Sequence, residues 1–372
     1  MVEAARETYG VEVVVLRMLD SERPRPQGGR VTYLAETGAR LAREAVDALV
    51  PWHGTLDEQP LRLSWAVPGG PDADLAWAEG VLRERRIERR GPAVQVRSWN
   101  LSSIWRLPIA DAGPAWLKVV PPFFGHEGDV LRRLQAEPVA LLLGHDGPRI
   151  LMADIDGEDQ YDAPLPVLER MVDLLVELQA AWIGRTDELL AMRLPDWRGP
   201  ALTAAIAVLV ERRRGELDPA VVASLDAFVA GLAERFAAVE ACGMPDTLVH
   251  GDYHPGNVRG TPFRLTLLDW GDTGIGQPLL DLPAFVSAIP AAAVGPVRER
   301  WIAAWQARLP GSDPDRAAAL LAPVAAARQA TIYQRFVDGI EPVERRHHDA
   351  DVGEWLERCA ALVDDERRAS SG

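Results

Sequence analysis

Between Thr247 and Asp272 the chain reads TLVHGDYHPGNVRGTPFRLTLLDWGD, and this stretch concentrates the side chains that could do chemistry. His250, Asp252, His254 and Asn257 follow the apolar lead-in Thr247-Leu248-Val249, and Asp269 ends a short apolar run from Phe263 to Leu268. Pro255-Gly256 forces a turn, so the side chains of Asp252 and Asn257 can converge instead of lying along one line. The run ending in Asp269 reads as a strand returning to the same place. Two carboxylates and an amide at one spot suit a hydroxyl that must lose a proton, together with a hard divalent cation that takes oxygen ligands. A second chemistry competes. His250-x-Asp252-x-His254 spaces three ligand-type side chains so that one strand could turn them toward a single metal, as in a metal-dependent hydrolase. Pro255-Gly256 directly afterwards argues against such a strand.

One residue stands out by composition alone. Of 40 basic residues Lys118 is the only lysine, and every other one is arginine. Arginine evidently serves at the solvated positions, so a site that keeps lysine is a candidate for needing a compact ammonium instead of a planar fork. The remaining composition sets bounds. The 372 residues are 48% hydrophobic and 26% charged, as in an ordinary globular protein large enough for two or three domains. The net charge of −15 disfavours non-specific nucleic-acid binding and tolerates cationic substrates. No apolar run reaches membrane-spanning length, the first residues lack the basic-then-apolar pattern of a signal peptide, and there are two cysteines, Cys242 and Cys359. The expectation is a cytoplasmic protein without a disulfide framework.

The pattern H-G-D-x-x-x-x-N followed by L-D-W resembles the aminoglycoside phosphotransferase family of small-molecule kinases, which shares its fold with protein kinases. The resemblance covers residues 95–290 and implies an α+β, protein-kinase-like fold with a small β-rich lobe and a larger helical one. It implies that Asp252 is the catalytic base, that Asn257 and Asp269 hold Mg²⁺, and that His250 braces the loop. Lys118 falls on a predicted strand, Ala115 to Val120, and Glu127 in a predicted helix from His126 to Leu134; the resemblance makes them the pair that positions the phosphates of ATP, or of GTP. The expected glycine-rich loop is missing. Trp99-Asn100-Leu101-Ser102-Ser103 stands there, with the hydroxyls of Ser102 and Ser103 as substitutes for glycine N–H groups. Asp154 and Ile155 fall at the implied hinge, where main-chain groups would meet the base. The acceptor would be a small hydroxylated molecule, such as a sugar, amino sugar or aminoglycoside-like compound. Acceptor-binding candidates are His254 and, on the C-terminal helices, Tyr333, Gln334, Asp338 and Glu341. The alternative to a kinase is a nucleotide-binding regulator, which would need one of these polar positions broken.

The elements that must position these groups read as follows. Residues 1–92 form an extra α+β subdomain, a cap or packing extension, with strands over Val11 to Met18, Arg30 to Leu34 and Leu61 to Val67 and helices over Thr37 to Val50 and Asp72 to Arg86. Residues 93–156 form the nucleotide-binding lobe, and residues 157–372 the helical lobe with the catalytic loop. Leu165 to Trp182 is amphipathic, with Leu168, Met171, Leu174, Leu175 and Leu178 on one face. Asp281, in Gly276-Gln277-Pro278-Leu279-Leu280-Asp281-Leu282, is expected to be structural.

Overall fold

A computed structural model of the chain describes residues 2–24, 27–38, 43, 47, 58–110 and 112–371. The helix expected over Thr37 to Val50 falls largely outside the described residues. The chain divides into two compact units, the first made of residues 1–128, 141–154 and 337–347, the second of residues 129–140, 155–336 and 348–372.

In the first unit, α1 (Val2–Tyr9) precedes a hairpin of β1 (Val14–Pro24) and β2 (Gln27–Glu36), whose strands run longer than the sequence pattern suggests. The stretch Leu61 to Val67 is not the expected strand but holds a 3₁₀ turn over Ser64–Ala66. Its alternation instead serves a turn that buries Trp65, whose indole N–H donates to Trp99 O at 3.1 Å. Helix α2 (Gly70–Glu84) follows.

The centre of this unit is an antiparallel sheet of β3 (Val94–Ser98), β4 (Ser103–Leu107), β5 (Ala115–Val119), β6 (Leu142–Asp146) and β7 (Arg149–Met152), in the order β3-β4-β5-β7-β6. Alternation along β5 sends Ala115, Leu117 and Val119 into the core and leaves Trp116 and Lys118 on the other face. That core also takes Trp65, Ala78 and Leu82, so residues 63–82 contribute side chains to the same interior as the sheet. Gln95 of β3 brackets Val15 of the hairpin, accepting from its N–H at 2.9 Å and donating to its carbonyl at 2.8 Å.

The second unit is mostly helical. After α3 (Glu127–Arg133), which starts in the first unit, come α4 (Leu165–Ala181), α5 (Thr186–Ala191), α6 (Gly199–Arg213), α7 (Pro219–Glu240), α8 (Leu282–Ser287), α9 (Ala291–Arg308), α10 (Pro314–Gly339) and α11 (Asp349–Ser371). Helix α4 buries Leu168, Met171, Leu175 and Leu178, as its pattern predicts, whereas Leu174 is only half-buried. Two small sheets carry the polar stretch. In one, β9 (Thr247–Val249) pairs with β12 (Gly274–Gly276); in the other, β8 (Glu158–Asp159), β10 (Val258–Thr261) and β11 (Arg264–Leu267) lie side by side. The chain between β9 and β10 is the loop that bears Asp252 and Asn257, and the end of β11 presents Asp269.

Candidate active site

In the first unit, Lys118 Nζ lies 2.8 Å from Glu127 Oε1. Lys118 sits on the central strand β5, opposite Ile104 and Ile150, and its side chain is 12% exposed against 2% for Glu127. An ion pair so enclosed adds little net stability, but taking away one partner strands the other charge. The pair matches the juxtaposition that the sequence implies.

The neighbouring expectations fare differently. Ser102 Oγ accepts from the Trp99 indole at 2.9 Å and Ser103 Oγ from the Trp105 indole at 3.0 Å, and both serines are buried, Ser103 completely. Each hydroxyl oxygen thus accepts from an indole, which ties both serines into the packing around the sheet and leaves only their O–H groups as donors. The Asp154 side chain accepts from Trp116 Nε1 at 2.7 Å, so it braces β5. The Ile155 carbonyl accepts from Arg259 Nε at 3.0 Å and is already engaged.

In the second unit the loop is pinned before its carboxylate is presented. Strand β9 ends at Val249, and the buried Asp281 carboxylate then accepts from the next two N–H groups, His250 at 2.9 Å and Gly251 at 2.8 Å, and from Gln179 Nε2 at 2.8 Å. Asp281 is structural, as expected. Gly251 has φ 93°, and a Cβ there would stand 1.8 Å from Asp272 O, so only glycine fits. Its carbonyl accepts from Arg328 Nη2 at 2.7 Å. Asp252, next along, keeps a side chain that is 41% exposed.

Asn257 closes the turn. Its Nδ2 donates to the Asp252 carbonyl at 2.8 Å and to Asp252 Oδ2 at 3.3 Å, which leaves the amide oxygen as the end available to a cation. His254 Nδ1 accepts from Gly256 N at 3.0 Å, so its proton belongs on Nε2, which lies 3.7 Å from Asp252 Oδ2. His250 is wholly buried, and burial lowers its pKa despite nearby carboxylates, so the ring stays neutral. Nε2 donates to Leu268 O at 2.9 Å, and the ring packs on Trp270 with centroids 4.5 Å apart. It therefore braces the peptide that precedes Asp269. Asp269 itself holds φ 61°, a left-handed conformation that costs a non-glycine residue energy and that clusters at functional sites.

A hard cation fits these donors. Asn257 offers an amide oxygen and Asp269 an exposed carboxylate. Burial first, and then the charges of Asp252 and Asp269, push Asp272 up to about 8, and a divalent ion beside these carboxylates would relieve the second of these causes. Among the described residues no group of three or more His, Cys, Asp or Glu side chains could hold a metal. A transition-metal site at His250, Asp252 and His254 is disfavoured, since His250 spends Nε2 on the Leu268 carbonyl.

Asp252 opens onto a cleft of about 410 Å³. Of the expected acceptor residues His254 and Tyr333 line it. The others do not. Gln334 is buried and accepts from Arg213 Nε at 2.7 Å, Asp338 is exposed outside the lining, and the buried Glu341 is gripped by Arg62 through both oxygens, at 3.0 and 2.9 Å, with Arg17 at 3.4 Å. These are corrections: an acid at a helix end suggests a ligand of the acceptor, yet here two arginines already neutralise it. Tyr161, Arg328, Trp355 and Arg358 line the cleft without being singled out by the sequence. No spacing announces them, because they come from three separate segments.

Solved structures share this architecture at low identity. A macrolide 2'-phosphotransferase from Brachybacterium faecium matches with 16% identity over 73% of this chain and 96% of its own, at a TM-score of 0.51. A choline/ethanolamine kinase family protein from Mesorhizobium loti matches with 15% identity over 78% and 98%, at 0.53. A choline kinase from Cryptosporidium parvum matches with 12% identity over 80% and 96%, at 0.54. Among curated proteins no sequence is significantly similar to this chain. The fold is thus the protein-kinase-like one, β-rich in its N-terminal region and helical in its C-terminal region. The profile of the phosphotransferase enzyme family matches residues 102–320, which span Lys118, Glu127 and the whole polar loop, and this chain belongs to that family of kinase-like enzymes that phosphorylate a hydroxyl group.

Proposed function

We propose that this protein transfers the γ-phosphoryl group of ATP to a hydroxyl of a small molecule, with Mg²⁺ as cofactor and Asp252 as catalytic base. The observation that carries the reading is the presentation of Asp252: a loop fixed on one side by Asp281 and Arg328, and on the other by Asn257, leaves this one carboxylate on the wall of an open cleft. Asp252 orients the acceptor hydroxyl and takes its proton as the new O–P bond forms and the bond to the β-phosphate oxygen breaks, releasing ADP. Asn257 and Asp269 hold the metal, which when bound neutralises charge across the phosphates. Lys118, steadied by Glu127, sets a compact positive charge against them. Positioning and electrostatics carry such a reaction, because the protein has no covalent step to perform. We take residues 1–92 as a packing extension of the nucleotide-binding part, on the strength of the shared core.

The single lysine makes a direct test available. An amine-reactive acyl phosphate of ATP is expected to label one side chain, Lys118, and excess Mg-ATP is expected to protect it. Labelling that Mg-ATP leaves unchanged would remove the nucleotide from this site. GTP in the same protection assay reports the choice of nucleotide.

A further inference from the structure

The cleft beside Asp252 has a one-sided charge pattern. Among the described residues its lining contains no acid except Asp252 itself. The cationic side chains are Arg328 and Arg358, with His254 next to the base. Arg328 is 1% exposed and already tied to the Gly251 carbonyl and to the face of Trp197, 4.4 Å away, so it belongs to the wall. Arg358 differs. It is exposed at the cleft, lies over the Trp355 ring with 4.9 Å to the centroid, and pairs with no carboxylate among the described residues. Glu354 and Glu357 share its helix α11 but do not line the cleft. The lining also carries a set of alanines, Ala322, Ala325 and Ala326 of α10 and Ala284 and Ala288 at α8, beside the neutral polar side chains of Ser287, Gln329, Tyr161 and Tyr333.

A polycationic acceptor would find one anionic partner here, the carboxylate that must be kept for the hydroxyl proton. We infer that the acceptor is an amphiphilic organic anion, with its hydroxyl at Asp252, its apolar face on the alanine bed and its anionic group at Arg358. The inference rests on the proposal that this cleft takes the acceptor. It reverses locally what the net charge of −15 suggests for the whole chain. Trp355 holds the guanidinium by its ring face, which leaves the N–H fork free for a carboxylate.

Matched probes test it without knowledge of the true acceptor. Binding of 2-naphthoate, 2-naphthalenemethanol and 2-naphthylmethylammonium to the full chain is measured by titration calorimetry. The acid is expected to bind about fivefold or more tightly than the ammonium, the range open to an exposed charge pair. Arg358→Glu is expected to reverse that order, and Arg358→Lys to keep the acid preference in weakened form. Equal or tighter binding of the ammonium, an order indifferent to Arg358→Glu, or no binding of any probe overturns the inference. Mg-ATP protection of Lys118 in the same preparation separates the two questions: lost protection with the acid preference intact sinks the kinase reading alone.

Discussion

Lys118 and Glu127 form an ion pair that is nearly closed to solvent, and the two partners answer differently to substitution. Lys118→Met leaves the Glu127 carboxylate buried without its cation, and is expected to cost about 3–5 kcal/mol of stability in addition to abolishing turnover. Lys118→Arg keeps the charge but replaces a point ammonium by a planar fork at a nearly enclosed position beside Glu127. It is expected to retain most of the stability and lose most of the activity. Thermal unfolding and turnover of the two variants check this, and a Lys118→Arg enzyme that works like the parent would show that any cation suffices. At this scale the sequence was informative where composition or turn chemistry made a residue singular. Lys118 was singular as the only lysine, and Asp252 and Asn257 were because Pro255-Gly256 had to bring them together. Arg328 and Arg358 were illegible, being two arginines among many with no spacing to mark them.

The loop between β9 and β10 is an element whose shape is imposed from outside. Asp281 supplies acceptors to two consecutive N–H groups, and Gly251 supplies the backbone that no side chain would permit. Asp281→Ala strands both N–H groups in a buried place and is expected to destabilise the fold by about 1–3 kcal/mol per lost bond and to lower kcat more than it changes KM for ATP. Gly251→Ala drives a Cβ into Asp272 O and is expected to give a protein that does not accumulate folded. Steady-state kinetics and unfolding curves decide, and an unperturbed Asp281→Ala enzyme would show that the clamp is idle. The strands of the central sheet and the helix from Leu165 were legible because periodicity reports burial. The stretch Leu61 to Val67 misled because its alternation serves a 3₁₀ turn that buries Trp65. Glu341 misled because its partners, Arg17 and Arg62, come from the far end of the chain, beyond the reach of any local pattern.

At the scale of the molecule, residues 337–347 return to the unit formed by the N-terminal residues, and charge is concentrated where they do. Burial, followed by the charge of Glu341, pushes Glu344 up from an ordinary 4.5 to about 7, although Arg17 and Arg62 pull the other way. The folded chain therefore keeps this proton over a range in which the unfolded chain has lost it. Folding stability from this group is fully present below 4.5 and is lost as pH rises to about 7. Glu344→Gln should thus stabilise the protein at pH 8 and change little at pH 4.5, a difference readable from melting temperatures; a gap that does not vary with pH would contradict the assignment. The cleft beside Asp252, too, exists only at this scale and was hidden from the sequence, because much of its wall consists of alanine-rich helix faces assembled from residues 280–288, 322–333 and 355–362. The measurement closest to the central claim is acceptor-dependent ADP release from Mg-ATP over a panel of hydroxylated small molecules, sugars, amino sugars and hydroxy acids included, for the parent enzyme and for Asp252→Asn. The expected result is release that the variant loses by about 10²–10⁴-fold while its melting temperature and the Mg-ATP protection of Lys118 stay unchanged. Turnover in Asp252→Asn equal to that of the parent would contradict Asp252 as the base and, with it, the account of why the loop is built as it is.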